Sequence, residues 1–300
     1  MDTTLMDTTL MDTTLVDPSG LPLVVDDSPE WGSARLDLDA YLARVGYRGP
    51  REASLPALRA LHRAHRDSVC FENVDIALGR TVSIDIDAVQ RKIVRAGRGG
   101  YCYETNLLFA AALDRFGFPV TRLLVRIREG SSKRRFRSHT ALLVRADDTV
   151  WLADPGYGYA ALIEPLALHP GAESTVAGWS WRLTTEDGHW ILQYRRPEGW
   201  FDIYAFRTEP QYAVDFEAAH FVSSTRPGSP FVGQLVVQRA DDEERYRLKN
   251  NEFITEYRNG EQRRRVLRPR EAVDTVRTTF GLPLTAEEER LLHDFLAARR

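Results

Sequence analysis

The sequence predicts an α+β protein: helices come first, strands follow, and a mixed segment closes the chain. Three observations predict it. Apolar residues recur at helical spacing up to about residue 116. After Pro119 the pattern switches to period two and persists through many short runs. The final stretch, Leu284 to Ala298, is helical again, with Thr285 as N-cap and Glu287 to Glu289 in its first turn.

Each element has its own signal. Leu38, Tyr41, Leu42 and Val45 share a helical face that ends at Gly46. Leu55, Leu58, Leu61 and His62 mark a second helix. A third spans Asp85 to Ala96, with Ile86, Val89, Ile93 and Val94 inward. A fourth begins at Cys102 and stops before Gly117 and Pro119. In Thr121 to Arg128, Leu123, Val125 and Ile127 alternate with Arg122, Arg126 and Arg128. His139 to Arg145 and Thr149 to Asp154 read as further strands. So do Trp179 to Leu183, Trp190 to Tyr194, Phe201 to Phe206, Val232 to Gln238 and Arg245 to Leu248. The expected units are a tail over 1–30, a helical domain over 31–116, a barrel over 117–225 and an α/β lid over 226–300.

Composition narrows the function. The hydrophobic fraction is 43%, ordinary for a chain with a real core. No run of about 18 apolar residues exists, which argues against a membrane span. The N-terminus lacks the basic and apolar regions of a secretory signal. Two cysteines make no disulfide framework and fit a reducing cytoplasm. Residues 1–15 are Met-Asp-Thr-Thr-Leu three times over, a polar, acidic segment expected to be disordered. Ordered structure is expected from near Leu36. Residues 1–30 hold seven acidic groups and no Lys or Arg, so the net charge of −3 leaves the rest of the chain near +4. That mildly basic body suits an anionic small molecule and is too weakly charged for nucleic acid.

The stretch Arg98-Gly99-Gly100-Tyr101-Cys102-Tyr103-Glu104-Thr105-Asn106 carries the chemistry. A thiol at a helix start sits beside the partial positive charge of that terminus, which favours the nucleophilic thiolate. Gly99 and Gly100 are expected to adopt positive φ and turn the chain tightly before the cysteine. The other cysteine, Cys70, is assigned to packing.

A cysteine nucleophile needs a base and a group to orient it. Of seven histidines, His62 and His65 sit three apart among arginines. No acidic or cysteine partner stands at a matching distance, so no metal site is expected and both are read as a solvated face. His169, His189, His220 and His293 show no partner. His139 begins an apolar strand, and the next strand ends in Asp154-Pro155-Gly156. A hairpin centred between Ala146 and Asp147 sets His139 directly opposite Asp154, at roughly 5 Å between Cβ atoms. The next even register leaves them diagonal neighbours. Cys102 as nucleophile, His139 as base and Asp154 as orienting carboxylate match a papain-like or transglutaminase-like core: a cysteine at a helix start, then His and Asp on successive strands.

At this point the chain resembles the arylamine N-acetyltransferases. The resemblance rests on Phe71-Glu72-Asn73-Val74-Asp75, on the cysteine motif Arg98 to Asn106, on Ser138 to Val144 and on Leu152 to Gly158. Phe221 to Phe231 looks like a later segment of the family, and the match runs from about residue 36 to 250. Pro155 stands where the family usually has Val, Tyr157 where it has Phe, and His220 where Asn is common. The resemblance implies a helical N-terminal domain, a central antiparallel β-barrel and a C-terminal α/β lid. It implies ping-pong transfer of acetyl from acetyl-CoA, a co-substrate with no bound cofactor, through Cys102 to an aromatic amine, hydrazine or hydroxylamine. Oxyanion donors are expected among backbone N–H groups near Cys102. Arg98 and Glu72 are expected to pair and, with Gly99 and Gly100, brace the cysteine turn, with Arg98→Ala costing stability ahead of chemistry. Phe71, Tyr101, Ser138 and Tyr157 are the expected substrate or CoA contacts. The basic run Lys133 to Arg137 reads as a solvated loop, with the CoA phosphates as its alternative. The same triad would also serve an amide synthase that releases a polyketide from a carrier protein, or a cysteine hydrolase. An unreactive thiol would instead point to a silent binding protein.

Overall fold

The structure is a computed structural model that describes residues 31–131, 133–209 and 211–299. The N-terminal repeats and the acidic tail lie outside these residues. Helix α1 (Leu38–Val45) starts on an Asp37 cap and stops at Gly46, whose φ of 70° is the left-handed conformation glycine adopts freely. Helix α2 (Leu55–Ser68) starts on a Ser54 cap, with Pro56 in its first turn. Strand β1 (Phe71–Glu72) and the single turn α3 (Val74–Ala77) follow. The expected third helix divides into α4 (Ile86–Gln90) and a π turn over Arg91–Arg95. Helix α5 (Cys102–Arg115) is buried almost to its end. Its Leu, Phe and Ala side chains join those of α1, α2 and α4 in the N-terminal core.

Eight antiparallel strands then wrap a second core rich in Trp, Tyr and Leu. They are β2 (Val120–Ile127), β3 (His139–Ala146), β4 (Thr149–Ala153), β5 (Leu166–Ala167), β6 (Glu173–Val176), β7 (Trp179–Glu186), β8 (His189–Arg196) and β9 (Gly199–Phe206). The order β5-β4-β3-β2-β9-β8-β7-β6 places β3 in the inner part of the sheet, with β2 and β4 beside it. The β3–β4 register differs by two residues from the expected hairpin, the next even register. Ala146 pairs with Thr149 and Leu142 with Ala153. The two loop residues are Asp147 and Asp148, both at positive φ, which is the two-residue turn that matches strand twist. His139 and Asp154 are therefore diagonal rather than opposite.

Helix α6 (Ala213–Thr225) leads into the last unit. There β10 (Val236–Ala240), β11 (Glu244–Lys249), β12 (Glu252–Tyr257) and β13 (Gln262–Val266) form a sheet ordered β1-β10-β11-β12-β13. Helices α7 (Pro269–Thr278) and α8 (Ala286–Ala297) cover it, burying Val273, Val276, Leu292 and Leu296. Strand β1, from the N-terminal region, is the edge of this C-terminal sheet, with Phe71 opposite Gln238. The glycine segment before Cys102, which bridges to Phe71 at Gly100, is thereby tied to the C-terminal sheet. α6, β12 and β13 were not legible beforehand. α6 buries only Phe216 and Ser223 and has no clear apolar stripe, and every residue of β13 is exposed.

Candidate active site

Cys102 is the first residue of α5 and is 1% exposed. The carboxylate of Glu104 accepts the N–H of Tyr101 at 3.2 Å, while the Tyr101 carbonyl accepts the N–H groups of Glu104 and Thr105. The N–H groups of Cys102 and Tyr103 lie in the first turn, where a helix offers no partner. Gly99 and Gly100 do not have positive φ; in this turn Gly97 does, at 68°. Their role is close approach. A Cβ on Gly99 would overlap the Cys70 carbonyl oxygen, and one on Gly100 would crowd the Glu104 side chain. The glycine segment lies against β1, with Gly100 N–H donating to Cys70 O at 3.1 Å and Glu72 N–H to Gly100 O at 3.0 Å.

His139 opens β3, and its Nε2 lies 2.7 Å from Oδ2 of Asp154, just beyond β4. The other ring nitrogen, Nδ1, is left for Cys102. Burial lowers the His139 pKa, but the Asp154 carboxylate and the Cys102 sulfur outweigh it and raise it to about 10. The Asp154 side chain is itself held. Asn106 donates to Asp154 Oδ1 at 2.9 Å and to the Thr140 carbonyl at 2.6 Å, and accepts the Gly156 N–H at 3.1 Å. Asn106 is four residues after Cys102 and shares its helix face, a spacing that marks it in the sequence. Thr140 Oγ1 in turn donates to the Cys102 carbonyl at 3.0 Å.

His62 corrects the expectation of a solvated face. It is fully buried, edge-on to Phe109, and its Nε2 accepts the Asp154 N–H at 3.2 Å. Burial first, then Arg66 and His65, lower its pKa to about 3, so the ring is neutral. His65 is buried as well and lies 2.9 Å from the Tyr41 hydroxyl. The spacing Leu58, Leu61, His62 and His65 puts both rings on the buried face of α2, a signal that the neighbouring arginines masked. Among the described residues no cluster of three metal-ligating side chains occurs.

Arg98 and Glu72 pair as expected, at 2.9 Å, inside a larger network. Lys92 reaches Glu104 at 2.9 Å and Asp75 at 2.8 Å, and Arg98 also reaches Glu288 at 2.9 Å. Burial pushes Glu104 up to about 7 against the Lys92 ammonium.

A cleft of about 900 Å³ opens on Cys102 and His139, between the barrel and the C-terminal sheet. Phe71, Ser138 and Tyr157 line it as expected. Tyr101 does not. Its ring is fully buried against Tyr103, His220 and Phe231, and its hydroxyl meets His220 Nδ1. Arg135 and Phe136 of the basic run reach the cleft, but Arg135 faces Glu129 and Arg137 pairs with Glu209. The opposite wall carries Arg226, Arg247 and Lys249, cations the sequence did not single out.

A buried thiol at a helix start, a charged imidazole and a held carboxylate can carry out acyl transfer through a thioester. The family model for N-acetyltransferases matches residues 54–289. The chain belongs to the arylamine N-acetyltransferase family. It is therefore an acyltransferase. The arylamine N-acetyltransferase of Escherichia coli K12 is 34% identical over 225 residues, 74% of this chain and 80% of that protein. The structure of the Nocardia farcinica enzyme superposes with a TM-score of 0.86 at 38% identity, covering 91% of this chain and 100% of that one. The Mycobacterium marinum enzyme in complex with CoA gives a TM-score of 0.81 at 30% identity, covering 87% and 99%. The family's α+β fold, with its eight-stranded barrel, is the one expected.

Proposed function

We propose that this acyltransferase moves acetyl from acetyl-CoA to aromatic amines, hydrazines or hydroxylamines in two half-reactions through Cys102. In the first, the thiolate attacks the thioester carbonyl. The tetrahedral oxyanion collapses, the C–S bond to CoA breaks, and His139 gives its Nδ1 proton to the departing thiolate. In the second, the amine attacks acetyl-Cys102. His139 takes a proton from the nitrogen, and the Cys102 thiolate leaves and restores the pair. Asp154 holds the charged imidazole in register, and Asn106 and His62 hold Asp154. The N–H groups of Cys102 and Tyr103 are the oxyanion donors of this reading.

The observation that carries it is the chain of contacts from the buried helix-start thiol through His139 to Asp154, at the floor of one open cleft. Arg226, Arg247 and Lys249 suit the donor's phosphates, since clustered cations favour polyanions. A relative from Salmonella typhimurium is also named an N-hydroxyarylamine O-acetyltransferase, which favours hydroxylamines among the acceptors. Relatives named for N-acetyl transfer favour acetyl-CoA over a carrier-bound donor. The barrel unit is supported by a core drawn wholly from residues 123–206, whereas the N-terminal core also takes in Phe118, Val120, Leu142 and Val144 and the C-terminal core also takes in Cys70, Val74 and Ala77. Both cysteines are buried and unpaired, which supports the cytoplasm; no described helix is long and apolar enough to cross a membrane.

The test is CoA release from acetyl-CoA with a panel of aromatic amines and hydrazines, with Cys102→Ala as control. Amine-dependent release that vanishes in the variant supports the reading. A reactive Cys102 that releases no CoA sinks it in favour of a carrier-bound donor.

A further inference from the structure

The lid reaches the nucleophile turn through one carboxylate. Glu288 lies at the third position of α8, 190 residues beyond Arg98, and is buried. Its two oxygens have separate duties. Oε2 accepts the Thr285 N–H at 2.9 Å and closes the capping box that starts α8. Oε1 accepts Arg98 Nη1 at 2.9 Å and Arg80 Nη1 at 2.7 Å. Arg98 also holds Glu72 on β1, and it immediately precedes Gly99-Gly100-Tyr101-Cys102. The same lid segment touches the turn again where Pro283 comes up to Gly97.

We propose that Glu288 is a positioning residue for Cys102: through Arg98, docking of α8 sets the turn that aims the thiol at His139. This rests on the nucleophile assignment above. Without Glu288 the Arg98 guanidinium would be held by Glu72 at 2.9 Å, with Asp75 farther off at 3.9 Å, and its carbonyl by Arg44. Glu288 supplies the second anchor from a separate element, so the guanidinium is fixed in direction as well as in place. Gly99 and Gly100 pack without side chains against Cys70 and Glu104, which leaves little room for the segment between Arg98 and Cys102 to adjust on its own. A displacement of Arg98 is passed on to the sulfur. The lid is then part of the thiol's alignment as well as a wall of the cleft.

The experiment is single-turnover acetylation of Cys102 by acetyl-CoA, followed by intact-protein mass, in the full chain. Glu288→Ala is expected to slow acetylation by about tenfold or more, the scale on which misplaced reacting groups lose rate, with the acetyl-CoA KM changed less than about twofold. Glu288→Asp keeps the charge and the ability to cap α8 but withdraws the oxygen from Arg98. It is expected to slow acetylation as well, and it reads the proposal if the alanine variant does not fold. Glu289 is the control. It sits beside Glu288 on α8 but pairs with Arg277 of α7. Glu289→Ala is expected to acetylate at the wild-type rate even with a lowered melting temperature. Wild-type rates in both Glu288 variants, or an equal slowing in Glu289→Ala, would overturn the positioning role. Acetylation that persists in Cys102→Ala would overturn the nucleophile assignment instead, so the two failures are distinct.

Discussion

Replacing Asp154 with asparagine tests the charge logic of the site with almost no change of shape. Asn106 donates its amide N–H to Oδ1 of residue 154 at 2.9 Å. In Asp154→Asn that position must remain an acceptor, so the new amide oxygen takes it. The new NH₂ group then faces His139 Nε2, which today lies 2.7 Å from a carboxylate oxygen. It donates to Nε2 and forces the ring proton onto Nδ1, the nitrogen that faces Cys102. That tautomer cannot take the thiol proton. The charged form is lost as well. His139 stands at about 10 because Asp154 and Cys102 overcome burial. Without the carboxylate the largest cause that raises the pKa is gone, burial opposes the charge, and the charged ring is disfavoured. The wrong tautomer and the lost charge together should slow thioester formation at pH 7 by on the order of a thousandfold or more, the scale on which the orienting carboxylate of a triad contributes. Rapid-mixing measurement of CoA release from acetyl-CoA reads this step. A variant within tenfold of wild type would refute the reasoning. A second signature is independent of rate. A raised folded-state pKa contributes stability that is fully present below about 6.5 and lost as pH rises through about 10. Wild type should lose that increment on the alkaline side, and Asp154→Asn should not.

Four further outcomes are expected. Asn106→Ala leaves the Thr140 carbonyl, Asp154 Oδ1 and the Gly156 N–H without their partner. It should cost about 3 kcal/mol in denaturant melts. Gly99→Ala drives a Cβ into the Cys70 carbonyl and should cost about 2–3 kcal/mol, with loss of acetyl transfer. Glu104 holds its proton up to about 7 in the folded chain and to 4.5 when free, so its share of stability is present below 4.5 and falls as pH rises through 7. Glu104→Gln should flatten stability over that window in thermal melts. Arg247→Glu should raise the acetyl-CoA KM more than charge reversal at Arg134, because Arg247 lines the cleft and Arg134 does not; the opposite order would return the donor phosphates to the basic run.

The sequence by itself determined the helices-then-strands order of the fold and brought Cys102, His139 and Asp154 forward as one candidate site. Local signals were enough for that: Gly46 ends α1, Thr285 caps α8, period two runs through β2, and the thiol follows Gly99-Gly100 at a helix start. These features depend on neighbours a few residues apart, so they can be read along the chain. The tertiary structure decided what comes from afar. The turn at Asp147-Asp148 shifted the pairing by two residues and made His139 and Asp154 diagonal. Packing of α2 on α5 turned His62 inward to hold the Asp154 backbone. Pairing of β1 with β10 brought the C-terminal sheet to the Cys102 turn, and with it Glu288 to Arg98 and Arg247 to the cleft. Such contacts join residues up to 190 positions apart, and their partners are chosen by shape and burial, which leave no periodic trace in the sequence.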